Sequence, residues 1–253
     1  MDWSGYVQLT LRECVAVADD LLILRVESPE AIDFTPGQYA TLGVHDEATD
    51  RPLLRAYSVV ATPGDRMLEF FVELVPDGAL TPRLWALESG DRLWMRKKIV
   101  GRFVRDTDRQ HHVMAATVTG VGPYVSIARQ LAAEAAEGIT PPQLLIIHGG
   151  SRSWELGTYR DELHAMSTRY DWVSYVPTVS RPWEDAEWTG ERGRVGDVLR
   201  KHWDAARFPL EDTAVYACGH PKMVQHVEAL ARRAGLPEAA FYEEKYFVER
   251  RTT

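Results

Sequence analysis

The first hundred residues alternate short apolar runs with polar turns. Residues 6–11, 21–26, 39–44, 56–60, 67–75 and 92–95 are rich in β-formers. Turn signals separate them, among them Thr35-Pro36-Gly37, Thr62-Pro63-Gly64-Asp65, Pro76-Asp77-Gly78 and Ser89-Gly90-Asp91. Many short strands with Gly/Pro turns predict a small antiparallel β-barrel. One helix is expected within it, with Thr81 as N-cap, Pro82 at the first helical position and Leu84 and Leu87 on the apolar face.

Beyond about Asp106 the rhythm changes. Apolar strands at 113–117, 144–148, 172–176, 214–218 and 241–248 alternate with helical patterns at 124–137, 158–167, 195–203 and 222–234. Such alternation implies βαβ units and a doubly wound parallel sheet. The polar stretch 105–110 reads as a linker, so two domains are expected, 1–106 and 107–253.

Composition narrows the class. With 253 residues and a net charge of −8, nonspecific nucleic-acid binding is disfavoured. No apolar run is long enough to span a bilayer, and Met1-Asp2-Trp3-Ser4-Gly5 does not read as a signal peptide, so a cytoplasmic location is expected. Cys14 and Cys218 are the only cysteines, too few for an iron–sulfur cluster or a zinc ribbon. The densest basic cluster is Arg96-Lys97-Lys98, followed by Arg102 and Arg105; it reads as a solvated loop or as a local basic patch.

Five segments carry candidate chemistry. Arg55-Ala56-Tyr57-Ser58 offers a cation, a flat phenol ring and a hydroxyl at a strand end. A flavin dinucleotide has a phosphate, a planar heterocycle and a polar ring edge to match them. An ordinary barrel strand with an exposed Arg and a packed Tyr reads the same way. Gly78-Ala79-Leu80-Thr81-Pro82 is a turn opening a helix, whose amides and Thr81 hydroxyl suit a pyrophosphate. Thr117-Val118-Thr119-Gly120-Val121-Gly122-Pro123 joins the first parallel strand to its helix. It is not a G-x-G-x-x-G match, and it fits either a pyrophosphate turn or a plain one. Val215-Tyr216-Ala217-Cys218-Gly219-His220-Pro221 repeats the arrangement later in the sheet, with Cys218 either structural or facing a ligand. Arg152, Arg181 and Arg194 follow or border parallel elements; they read as independent surface residues or as a convergent site for a 2′-phosphate, with Arg192 a rival to Arg194.

Taken in order, these segments resemble the ferredoxin–NADP reductase family of FAD-containing flavoproteins, specifically its bacterial type. The motifs are Arg55-x-Tyr57-Ser58, the run from Val75 to Leu84, Lys98-x-x-Gly101, Cys218-Gly219-x-Pro221-x-Met223 and the tail from Glu244 to Arg250. Three positions depart from the family pattern. Val118 stands where the loop usually opens with Gly, Ser151 stands where the 2′-phosphate Arg is expected with Arg152 next to it, and Tyr246 stands where that subclass often has a small residue.

The resemblance implies FAD on the barrel and NADP(H) on the α/β domain, with hydride passing between nicotinamide and flavin N5 and single electrons to ferredoxin or flavodoxin. It implies that Arg55, Val75, Gly78, Leu80 and Thr81 anchor FAD, that Tyr57 stacks on the flavin and Ser58 bonds near N5. Thr119, Gly120, Pro123, Cys218 and Gly219 would border the nicotinamide dinucleotide, and Arg152, Arg181 and Arg194 its 2′-phosphate. Tyr246 would stack on the isoalloxazine or pack as a core aromatic, and Phe247 would lie near the FAD adenine. Transient electrostatic docking through Arg96, Lys97, Lys98 and Arg102 and a monomeric state are expected. The competing readings are an NADH-dependent reductase serving an oxygenase or free flavin, and an accessory electron-transfer subunit.

Overall fold

A computed structural model describes residues 4–246. By their contacts these residues divide into two units, 4–104 with 126–130, and 105–125 with 131–246.

The first unit holds β1 (Tyr6–Ala18), β2 (Leu21–Glu27), β3 (Tyr39–Asp46), β4 (Arg51–Ser58), β5 (Met67–Glu73), the short helix α1 (Thr81–Trp85) and β6 (Arg92–Arg96). The strands run in the order β4-β3-β6-β1-β2-β5, each pair antiparallel. Leu9, Leu11, Leu24, Leu42, Phe70 and Leu93 are fully buried inside. Each contributes roughly 1.5–3 kcal/mol by leaving water. The expected strand over 56–60 ends early, at Ser58. Beyond it the chain leaves the ladder: Val59 N–H donates to the Gln38 carbonyl (3.1 Å), and Val60 N–H crosses to the Glu69 carbonyl of β5 (2.9 Å). That crossing brings the two edges of the sheet together, and it buries Val59 and Val60 alike, although successive residues of a strand face opposite sides.

The second unit holds β7 (His111–Thr117), α2 (Gly122–Ala136), β8 (Gln143–Gly150), α3 (Tyr159–Arg169), β9 (Val173–Val179), β10 (Glu191–Arg192), α4 (Val195–Ala206), β11 (Thr213–Gly219), α5 (Pro221–Ala234) and β12 (Phe241–Lys245). The order is β10-β9-β8-β7-β11-β12, parallel throughout. Val113, Ala115, Leu145, Ile147, Val215 and Ala217 pack against α4 and α5. The alternate positions Met114, Ala116, Ile146 and Tyr216 are equally buried, so both faces of the sheet are covered. Strand β10 is too short to leave a sequence signal. The expected strand over 241–248 ends at Lys245; Phe247 and Val248 lie outside the described residues. Among the described residues no helix is long and apolar enough to cross a membrane.

Candidate functional site

In the first unit, Arg55, Tyr57 and Ser58 lie at the end of the edge strand β4. Three residues of strand separate Arg55 from Ser58 by about 10 Å. Arg55 is exposed and donates one Nη1 bond to the Leu54 carbonyl (2.9 Å). The Tyr57 ring packs on the barrel core, and burial pushes its hydroxyl up to about 12 against the opposing charge of Arg55. It is therefore a neutral, anchored ring. Ser58 pairs in register with Tyr39 of β3, and Tyr39 exchanges two backbone bonds with Val100 (2.9 and 3.1 Å). The Lys98-x-x-Gly101 turn is thus placed one strand from Ser58. Gly101 has φ +137°, and a Cβ there would press on the Tyr39 ring at 3.3 Å.

The turn before α1 needs a correction. Thr81 is not the N-cap: Leu80 takes that position, and Thr81 is the first helical residue. Its hydroxyl turns back, donating to the Val75 carbonyl (3.0 Å) and accepting from Val75 N–H (2.9 Å). That bond closes the Val75–Thr81 loop on itself. The Leu80 side chain is buried in the barrel core. Gly78 is half-buried and its amide donates to the Val75 carbonyl (2.8 Å), so the amides of Gly78 and Val75, like the Thr81 hydroxyl, are engaged within the loop.

In the second unit, strand order reverses between β7 and β11, the place where open parallel sheets bind ligands. Both glycine-bearing loops lie there. A Cβ on Gly120 would sit 2.3 Å from the Cys218 carbonyl, and one on Gly219 (φ +122°) 2.4 Å from Thr117 Oγ1. Thr117 Oγ1 accepts the His220 amide at 2.9 Å, which ties the two strand ends together. Thr119 is buried in the turn, and Pro123 lies in the first turn of α2.

Val118, the departure noted in the sequence, adopts φ +47°. A β-branched residue in this left-handed region is strained. His148 braces it from below. Its Nε2 lies 2.9 Å from the Val118 carbonyl and its Nδ1 3.1 Å from the Tyr175 hydroxyl. A carbonyl only accepts, so Nε2 carries the proton and Nδ1 receives the tyrosine's. Burial pushes the imidazole down to about 4. This brace was not anticipated; His148 in the run before Gly149-Gly150 was its only trace.

Cys218 is fully buried. Burial pushes its thiol well above the usual range, the Glu244 charge adds to that, and a hydrogen bond from the Tyr246 side chain opposes it. Glu244 is opposite Cys218 in the β11–β12 register, and Tyr246 N–H donates to the Gly219 carbonyl at 2.9 Å. Tyr246 is therefore fastened to the Cys218–Gly219 strand end.

Arg152, Arg181 and Arg194 each stand two residues past the end of a strand, β8, β9 and β10, which are neighbours in the sheet. Arg152 and Arg181 meet around Glu184. The Glu184 carboxylate accepts from Arg152 and lies 3.9 Å from Arg181 Nη1. Arg194 is exposed at the start of α4, where the Asp197 carboxylate accepts its amide at 3.2 Å.

Comparison with known proteins matches this arrangement. Residues 8–103 fit the model of the oxidoreductase FAD-binding domain, and residues 114–229 that of the oxidoreductase NAD-binding domain. The chain is 33% identical over 217 residues to the flavodoxin/ferredoxin–NADP reductase of Shigella flexneri, covering 83% of each. The chain belongs to the ferredoxin–NADP reductase family. It is an oxidoreductase with one domain for FAD and one for a nicotinamide dinucleotide. Another relative is the electron transfer component of anthranilate 1,2-dioxygenase from Acinetobacter baylyi, 25% identical over 91% of this chain and 64% of its own. The fold also matches a ferredoxin NADP+ reductase from Neisseria gonorrhoeae with bound FAD and NADP, at a TM-score of 0.82 over 96% of this chain and 99% of that one, with 24% identity.

Proposed function

We propose that this family member passes electrons between NADP(H) and a small protein carrier, a ferredoxin or flavodoxin. The observation that carries the reading is the side-chain set at the end of β4, an exposed guanidinium, an anchored neutral ring and a hydroxyl within four residues. That set fits a flavin dinucleotide. Arg55 neutralises its pyrophosphate, and the closed loop from Val75 to Thr81 packs beside it. Tyr57 presents a ring that cannot ionise in the working pH range. Ser58 bonds at the heterocycle edge.

When bound, the flavin accepts a hydride from the nicotinamide and releases electrons one at a time. The chain's own work is placement. Thr119, Gly120, Pro123 and Gly219 bring backbone close to the dinucleotide at the reversal point of the sheet. Cys218 contributes a neutral thiol, a contact surface and not a nucleophile. Tyr246, fastened over Cys218, yields its place to the nicotinamide. Arg152, Arg181 and Arg194 receive the 2′-phosphate.

For the carrier, the exposed Arg96, Lys97, Lys98 and Arg102 form the docking rim. None of these four pairs with a carboxylate among the described residues. Such a patch on a chain of net charge −8 steers an acidic partner by local charge alone. The test is the rate of reduction of an acidic ferredoxin by the NADPH-reduced enzyme as salt is raised. A steep fall supports the reading, and a salt-independent rate or no ferredoxin reduction at all removes it.

A further inference from the structure

Of the arginines two residues past β8 and β9, Arg152 is not open to an incoming anion, and Arg181 is exposed but shares its carboxylate. Arg152 Nη1 donates to Glu155 Oε1 at 3.1 Å, and its Nη2 donates to Glu184. Arg181 faces the same Glu184 at 3.9 Å. The loop amides that an anion would seek are also taken. Ser151 N–H goes to Glu155 Oε2 (2.7 Å) and Ser153 N–H to Asp185 Oδ2 (2.8 Å). Two cations thus face two carboxylates, and Arg152 is paired through both terminal nitrogens before any nucleotide arrives.

The two carboxylates are not equivalent. Glu155 is tied to the backbone of its own loop through Ser151. Among the described residues Glu184 is held by guanidinium groups alone, and its side chain is 36% exposed. Its neighbours are aromatic and open to solvent. Trp183 is 75% exposed, and Arg152 lies over the ring of Trp154, its Cζ 5.5 Å from the centroid. Large exposed indoles beside a charge cluster are surfaces for a flat ring to stack on.

We infer that Glu184 sets how far this chain discriminates between phosphorylated and unphosphorylated nicotinamide dinucleotides, by acting as an internal anion on the arginines that receive the 2′-phosphate. The inference rests on the assignment of Arg152 and Arg181 to that phosphate made above. A 2′-phosphate reaches Arg152 only by displacing the Glu184 carboxylate, and it meets that carboxylate's charge on the way in. A free 2′-hydroxyl displaces nothing and can donate a hydrogen bond to Glu184, as acidic residues do for an unphosphorylated ribose. The result is an enzyme whose preference for the phosphorylated dinucleotide is compressed.

The test is calorimetric binding of 2′,5′-ADP and of 5′-AMP to the flavin-loaded protein, wild type against Glu184→Gln and Arg181→Ala. Removing the competing charge of a half-exposed pair is expected to tighten 2′,5′-ADP about fivefold and leave 5′-AMP unchanged or weaker. Arg181→Ala is expected to weaken 2′,5′-ADP only. If Arg181→Ala weakens 2′,5′-ADP but Glu184→Gln leaves both ligands unchanged or tightens both equally, the phosphate assignment stands and the role of Glu184 is refuted. If Arg181→Ala has no effect, the phosphate assignment fails and takes the inference with it.

Discussion

Tyr246 hydrogen-bonds the thiol of Cys218 with its side chain, while its amide holds the Gly219 carbonyl at 2.9 Å. The residue therefore occupies the strand end where the nicotinamide is proposed to sit, and on that proposal it would have to leave before hydride passes. Tyr246→Ser is expected to tighten the oxidised nicotinamide dinucleotide by about five- to thirtyfold, since the displaced ring costs on the order of 1–2 kcal/mol. Tyr246→Phe keeps the ring and loses the bond to sulfur, so it should fall between. Titration of the protein's visible spectrum with NADP+ measures both. An unchanged affinity in the serine variant would mean the tyrosine is not in the way.

Ser58 is a candidate for direct contact with the reacting heterocycle. Ser58→Ala should slow flavin reduction by NADPH about a hundredfold or more, in the range of a lost positioned hydrogen bond or proton-transfer group, while FAD remains bound. Single-turnover reduction read at the flavin absorption band gives the rate, and the band itself reports retention. Undiminished reduction would remove Ser58 from the chemistry.

Arg181 and Arg194 end neighbouring strands and are assigned to one phosphate. Alanine at either should raise KM for NADPH tenfold or more, the worth of a charge-assisted bond of about 1.5–3 kcal/mol, and change KM for NADH little. Steady-state assays with both nucleotides check it; equal effects on both would refute the 2′-phosphate pocket.

Val118 holds φ +47° where a glycine would be unstrained. Relief of roughly 1–3 kcal/mol of backbone strain, less about 1 kcal/mol for the freer unfolded glycine, predicts that Val118→Gly is stabilising by about 1 kcal/mol. Urea unfolding of the holoprotein measures this. Destabilisation would show that the Val118 side chain contributes more by packing than its backbone costs.

His148 and His112 are both buried, and burial pushes each imidazole down to about 4. Their unfolded value is near 6.5. Between those limits the unfolded chain binds up to two more protons than the folded one, so stability rises with pH across that window and falls as pH drops from about 6.5 towards 4. Two such groups give a slope of up to about 2.7 kcal/mol per pH unit. His148→Gln should roughly halve it, which unfolding curves at several pH values would reveal.

The strand and helix pattern was legible because period carries it: apolar alternation and Gly/Pro turns mark the barrel, and buried runs spaced by amphipathic helices mark the parallel sheet. The arginine positions were legible for the same reason, since each follows a strand end. The partners of those arginines were not. Glu184 lies 32 residues from Arg152, and no local pattern says that two loops past neighbouring strands will meet. Thr81 misled because a Thr-Pro pair signals a cap, yet the six-residue return to Val75 gave its hydroxyl a closer partner. The expected strand over 56–60 ran too long because the chain crosses between sheet edges after Ser58, and a ladder holds only while its partner strand continues.

The central claim is that this chain carries a flavin that NADPH reduces. Anaerobic titration of the purified, FAD-supplemented protein with NADPH, followed in the visible spectrum, tests it most directly. The account predicts a bound flavin spectrum that bleaches stoichiometrically with NADPH and recovers on addition of oxidised ferredoxin. A protein that binds no FAD, or a bound flavin that neither NADPH nor NADH bleaches, would contradict it.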